Sequence, residues 1–239
     1  MSDSELRELE RRYRASGSVQ AEAAWLRARV QAGELALDCL KLAALLGHEG
    51  AHGVLGEAAP EPTLILREWD HPVEFNTLFD MVRDCADCGC EALVRLIVAL
   101  SRHLLPLFER ERTADFGPRA AIEISERWLV EPDKVSLTML RDAGWAAGAS
   151  SDDVVFEDSV AHQVAELAQR AAEAAQNAHA SDRERTLASA EDAALQALHS
   201  LDPEEAVQLE AAVRAELVPW ALGTLDPVAG RARTRTHGL

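Results

Sequence analysis

Aromatic residues make up only 5% of this 239-residue chain, and tyrosine occurs once. Alternating Val/Ile/Thr/Tyr runs, the mark of half-buried strands, are nearly missing too, which argues against a β-sandwich or barrel. "TLIL" at 63–66 is the single strand candidate. Long apolar runs are also lacking. The longest, "ALVRLIVAL" at 92–100, contains Arg95, whereas a membrane span needs ~20 apolar residues. The start, "MSDSELRELERRYR", is charged from Asp3 onward and leaves no apolar core for export, so a cytoplasmic protein is expected. Basic charge is scarce: 24 Lys and Arg face 41 Asp and Glu, a net −17. Such a chain is repelled by phosphate backbones, which excludes nucleic acid as a natural partner. A basic protein would be steered toward it. No Gly-rich phosphate loop, nucleophile elbow or dinucleotide fingerprint is present, and no cofactor is expected.

Good helix formers are abundant. Ala, Leu, Glu and Arg dominate within an ordinary balance of 48% hydrophobic and 27% charged residues. The pattern predicts helices near 3–15, 18–32, 34–46, 48–55, 73–83, 87–112, 118–130, 133–147, 152–180, 182–200 and 203–222. Ser2 with Glu5 and Ser181 with Glu184 fit capping boxes. Ser18 and Ser151 are further cap candidates, and "DPEE" offers Asp202 before Pro203. Pro106 is expected to kink or end its helix. The fold class is all-α: a multi-helix bundle with solenoid-like character, a short N-terminal helical module and a larger Ala-rich domain. The module spans 1–56 and is nearly neutral, with 7 basic and 8 acidic groups. A Pro-rich linker follows at 57–72, then the helical domain at 73–223. The basic tail at 224–239 lacks periodicity and reads as disordered. Small-residue packing in "LKLAALLGHEGAHGVLG" resembles that of tetratricopeptide- and Sel1-like repeats, but no second copy recurs at a fixed period. Within the larger domain, "ALVRLIVAL" marks a central buried helix. The Ala-rich segments after residue 159 predict a close antiparallel pair.

Three places carry candidate chemistry. "CADCGC" places Cys85, Cys88 and Cys90 together, and a Cys-x2-Cys pair can supply two positions of a tetrahedral zinc. No second pair exists, so reduced cysteines at a helix start are the simpler reading. "HEGAH" sets His48, Glu49 and His52 at zinc-protease spacing. Gly47, Gly50 and Gly53 punctuate the helix that motif needs, so a helix–turn boundary is the simpler reading. The acidic run "SSDDVVFEDS" holds Asp152, Asp153, Glu157 and Asp158. These suit a helix N-terminus, or a contact surface for a basic partner.

"PRAAIEISERWL" at 118–129 is the most informative stretch. On a helical wheel, Arg119, Glu123, Glu126 and Arg127 share one side, opposite a broad apolar arc with Trp128 and Leu129. Glu123 and Arg127 have the favourable i, i+4 order, which contributes ~0.2–0.5 kcal/mol. With the Ala-rich helices that follow and "AELVPWALG" at 215–223, the stretch resembles the Imm5-like predicted immunity-protein domains of bacterial polymorphic toxin systems. The matching positions are Arg119, Ala121, Glu123, Glu126, Trp128 and Leu129, and the resemblance covers about 90–223. It implies a non-catalytic all-α protein that binds a cognate toxin or enzyme and blocks it by occlusion. Arg119, Glu123, Glu126, Asp152, Asp153, Glu157 and Asp158 are then the candidate partner-binding residues. A helical scaffold using the 1–56 module is the alternative, and a zinc-dependent protein a third. Oligomeric state is not specified.

Overall fold

The computed structural model describes residues 2–60, 75–152, 159–200 and 203–224. Eleven α-helices account for most of them: α1 (Asp3–Ser16), α2 (Val19–Ala32), α3 (Leu37–Leu45), α4 (Glu49–Leu55), α5 (Phe75–Asp87), α6 (Cys90–Glu111), α7 (Gly117–Val130), α8 (Leu137–Asp152), α9 (Val160–His179), α10 (Arg183–Ser200) and α11 (Pro203–Ala221). The chain is all-α, as the residue pattern predicts. The strand candidate at 63–66, most of the linker and the basic tail lie outside the described residues. The chain divides into two compact units: residues 1–64 with 217–239, and residues 65–216. The sequence pattern places 217–223 with the second unit, whereas those residues join the first.

Local chemistry sets the helix ends. Ser2 and Glu5 form the reciprocal capping box, and Ser18 accepts from the Ala21 N–H. Two expected caps shift. Asp182, not Ser181, accepts from the Arg185 N–H and starts α10. Ser181 instead takes the left-handed turn at φ 59° between α9 and α10. Ser159, not Ser151, caps α9, because α8 runs on through Ser151 to Asp152. The helix expected from residue 152 therefore starts eight residues later. Pro106 sits inside α6 without ending it.

In the first unit, α1 packs on α2, α2 on α4, and α3 on α4. Leu26, Leu40, Leu42 and Leu46 are fully buried. Tyr13 stacks on Trp25 with ring centroids 5.3 Å apart, and the Arg29 guanidinium covers Trp25 at 5.0 Å. Stacking and cation–π attraction both favour these contacts. The same guanidinium donates to the Leu222 carbonyl oxygen, closing the end of α11.

In the second unit, α9 contacts α6, α7, α8 and α10 and is the central helix alongside α6. Alanines make this possible. Ala165, Ala168, Ala171, Ala172 and Ala175 are fully buried on α9, as are Ala190, Ala193, Ala194 and Ala197 on α10. Their small side chains let the two backbones approach closely and gain dispersion along their length. α6 supplies the bulk: Leu93, Leu96, Ile97, Leu100 and Phe108 are fully buried. Arg95 breaks that apolar run without an unpaired charge, since it binds Glu91 on its own helix and Glu216 at 2.7 Å.

Candidate functional site

One edge of the charged side of α7, Arg119 and Glu126, meets α6, while Glu123 and Arg127 face solvent. Arg119 Nε donates to Glu109 Oε1 at 2.7 Å. Two turns further, Arg102 grips Glu126 with both nitrogens of its fork, Nε at 2.9 Å and Nη2 to the second oxygen. The pairs run in opposite order along the two helices, seven residues apart on each. They form a two-rung ladder between antiparallel neighbours. Bidentate arginine–carboxylate geometry adds orientation as well as energy. Burial pushes the Glu126 carboxyl above its ordinary range, and Glu123 and Glu216 push it the same way. Arg102 opposes them in part.

Glu123 is the half-exposed member, 3.8 Å from Arg119 on its own helix. That pairing replaces the expected one with Arg127. On the apolar side, Ile122 is fully buried and Trp128 nearly so, its indole N–H donating to His179 Nδ1 at 3.2 Å. Of the candidate partner-binding residues, Arg119 and Glu126 are thus engaged within the bundle. Asp152 is exposed but ends α8. It therefore lies in the last described turn of α8 and not at a helix start. Asp153, Glu157 and Asp158 lie outside the described residues.

The histidine and cysteine motifs resolve into local structure. His48 is the N-cap of α4, its Nδ1 accepting from the Ala51 N–H at 3.2 Å. The ring proton therefore sits on Nε2, 3.5 Å from Glu22. His52 Nε2 lies 2.8 Å from the Ala44 carbonyl oxygen. Both rings serve the α3–α4 turn. Cys85 is buried near the end of α5, and Cys88 and Cys90 are half-buried around the turn into α6. Among the described residues, no three His, Cys, Asp or Glu side chains are grouped to hold a metal ion.

A feature that the sequence reading missed lies between α6 and α8. Residues 111–117 turn around an open cleft of about 710 Å³ whose other wall is Ala146, Ala149 and Ser150. Asp115 holds the turn. Its Oδ1 accepts from the Gly117 N–H at 3.0 Å and from the Ser150 hydroxyl at 2.8 Å. Gly117 lets the turn lie against α8: a Cβ there would sit 2.6 Å from the Ala146 carbonyl oxygen and nearer still to Ser150 Oγ. The pinned turn presents Phe116 outward, 66% exposed. Glu111 and Asp115 line the same cleft, with Arg112 4.0 Å from Asp115. "TADFGP" carried a readable signal: Gly-Pro suits the first turn of a helix, and an aspartate side chain readily accepts from the backbone N–H two residues on, as Asp115 does from Gly117.

No family model, curated protein or solved structure matches the chain. No described helix is long and apolar enough to cross a membrane.

Proposed function

We propose that the chain is a protein-binding neutraliser, an immunity protein or inhibitor that blocks a cognate toxin or enzyme by stoichiometric occlusion. The observation that carries this is Phe116, held outward on a turn that Asp115 and Ser150 fix to α8. An exposed aromatic on a rigid support binds at little entropic cost, the property of an interface anchor. The cleft beside it accepts side chains of a partner. Glu111 within the cleft and the net charge of −17 favour a basic protein, whose approach they accelerate. The resemblance of "PRAAIEISERWL" to Imm5-like domains supports the same reading, with α7 as a packing element behind the cleft.

The test is recovery of a partner by the tagged full chain from its native cells, followed by inhibition of that partner's activity. We expect one protein at 1:1 stoichiometry, with affinity falling as salt rises. Phe116→Ser weakens the complex by ~30-fold or more, the scale of an interface hot spot, and leaves the melting curve unchanged. Inhibition unaffected by Phe116→Ser would refute the cleft as the contact. Binding that vanishes on deleting 1–56, with Phe116 intact, would favour a scaffold.

A further inference from the structure

The cleft between α6 and α8 holds a charge that its own residues leave unbalanced. Two carboxylates line it, Glu111 and Asp115. Asp115 is engaged: its Oδ1 holds the turn, and its Oδ2 lies 4.0 Å from the Arg112 guanidinium. Arg112 thus offsets one carboxylate of the two. Glu111 is exposed and forms no ion pair among the described residues. The end of α6 adds to its charge. The Arg112 N–H reaches the Phe108 carbonyl oxygen. Among the described residues, no backbone N–H meets the carbonyl oxygens of Glu109, Arg110 or Glu111. A helix end left open in this way is partially negative and favours a cation. The remaining surface is apolar. Phe116 offers an open ring, and Ala114, Ala146 and Ala149 form low walls.

From this we infer that the cleft receives the guanidinium of an arginine side chain, which on the neutralisation reading belongs to the partner. Charge makes the first selection. Glu111 and the open end of α6 attract a cation, whereas a carboxylate or phosphate would meet like charge. Phe116 selects among cations. A planar guanidinium stacks on an aromatic face and is more weakly hydrated than an ammonium, so it gains more there. Shape agrees with charge. The cleft is open and about 710 Å³ in volume. An arginine can lay its methylene stem along the alanines while its head reaches Glu111. The guanidinium fork carries five N–H donors, and Glu111 with the end of α6 supplies acceptors. Lysine brings three donors on a compact, strongly hydrated head with no plane to stack. The turn is also set in advance, because Asp115 ties it to Gly117 and Ser150. Little of the binding energy is then lost to ordering the receiving side.

Titration of the isotope-labelled full chain with N-acetyl-arginine amide, followed by NMR at constant ionic strength, tests this. We expect saturable shifts confined to 111–117 and 146–150, with a Kd of about 1–10 mM, the scale of a single side chain. N-acetyl-lysine amide binds about fivefold more weakly or worse. Glu111→Gln weakens the blocked arginine about five- to tenfold, by removing a charge-assisted bond, and leaves the melting curve unchanged. No saturation by about 50 mM overturns the inference. So does equal binding of the blocked lysine, or binding indifferent to Glu111→Gln. The two readings fail separately. Blocked arginine that binds as expected, with no partner recovered from cells, keeps the guanidinium site and removes the neutraliser. A partner held through Phe116, with no binding of blocked arginine, keeps the neutraliser and removes the guanidinium site.

Discussion

Removing Arg102 and removing the charge of Glu126 should have unequal consequences. Arg102→Met takes away both donors that hold the Glu126 carboxylate. Glu126 is 24% exposed and Arg102 34% exposed at their side chains, so solvent recovers part of the loss. Stranding a hydrogen-bonded charge costs about 1–3 kcal/mol. After discounting for exposure, about 1–2 kcal/mol remains. In a chain of this size that lowers the melting temperature by about 2–8 °C. Glu126→Gln keeps an oxygen for Arg102 and sheds the desolvation that raises the carboxyl. Its effect at neutral pH should lie within about 1 kcal/mol of zero. The pH dependence separates the two. Because the Glu126 carboxyl is raised in the folded state, its stabilising contribution is present in acid and fades as pH rises through its folded value. Without Arg102 the carboxylate is held higher still. The Arg102→Met penalty should therefore shrink as the solution is acidified into the carboxylate range. Urea denaturation followed by circular dichroism, at neutral pH and in that range, measures both variants. Equal losses at neutral pH, or an Arg102→Met penalty that ignores acidification, would refute a stranded charge as the cause.

Tyr13 is the sole tyrosine, so its ultraviolet titration reports one site. A hydrogen bond to Glu22, then burial, raises its phenol above the ordinary value; the curve should midpoint above that of free tyrosine, and Glu22→Gln should bring it down. The stability linked to this group is present below the ordinary tyrosine range and lost as pH climbs through the raised value, which denaturation in alkali checks. Gly117→Ala forces a Cβ against the Ala146 carbonyl, where only backbone can give way, and should cost about 1–3 kcal/mol. Calorimetry would show it, and a Gly117→Ala chain as stable as the parent would mean that the turn does not lie against α8.

Helix positions were legible because each rests on chemistry within a few residues: a serine cap, a left-handed glycine, a run of alanines. The end of α8 was harder to read. Ser151 and Ser159 are equally competent caps, and what decides between them is that Ser151 packs inside the bundle, hydrogen-bonded to His162. The faces of α7 and α8 were harder again, since a wheel assigns each residue a direction but not what stands there. For α7 the clue lay on another helix. Arg102 and Glu109 repeat at seven residues, as Arg119 and Glu126 do with the charges in complementary order, and an antiparallel neighbour pairs both at once. For α8 the ordinary rule points the wrong way, because it sends the largest apolar residue inward. That rule assumes room between helices. On α8 a Cβ at Gly144 would touch Ala172 at 3.4 Å, and one at Gly148 would meet the flexible end of Gln169, so α8 turns a side of small residues to α9 and Trp145 lies outside. An exposed tryptophan follows here from close packing on the opposite side. Gly144→Leu, which adds bulk where a Cβ alone already touches Ala172, should therefore move α8 away from α9 and cost stability, whereas Gly144→Ala should be tolerated.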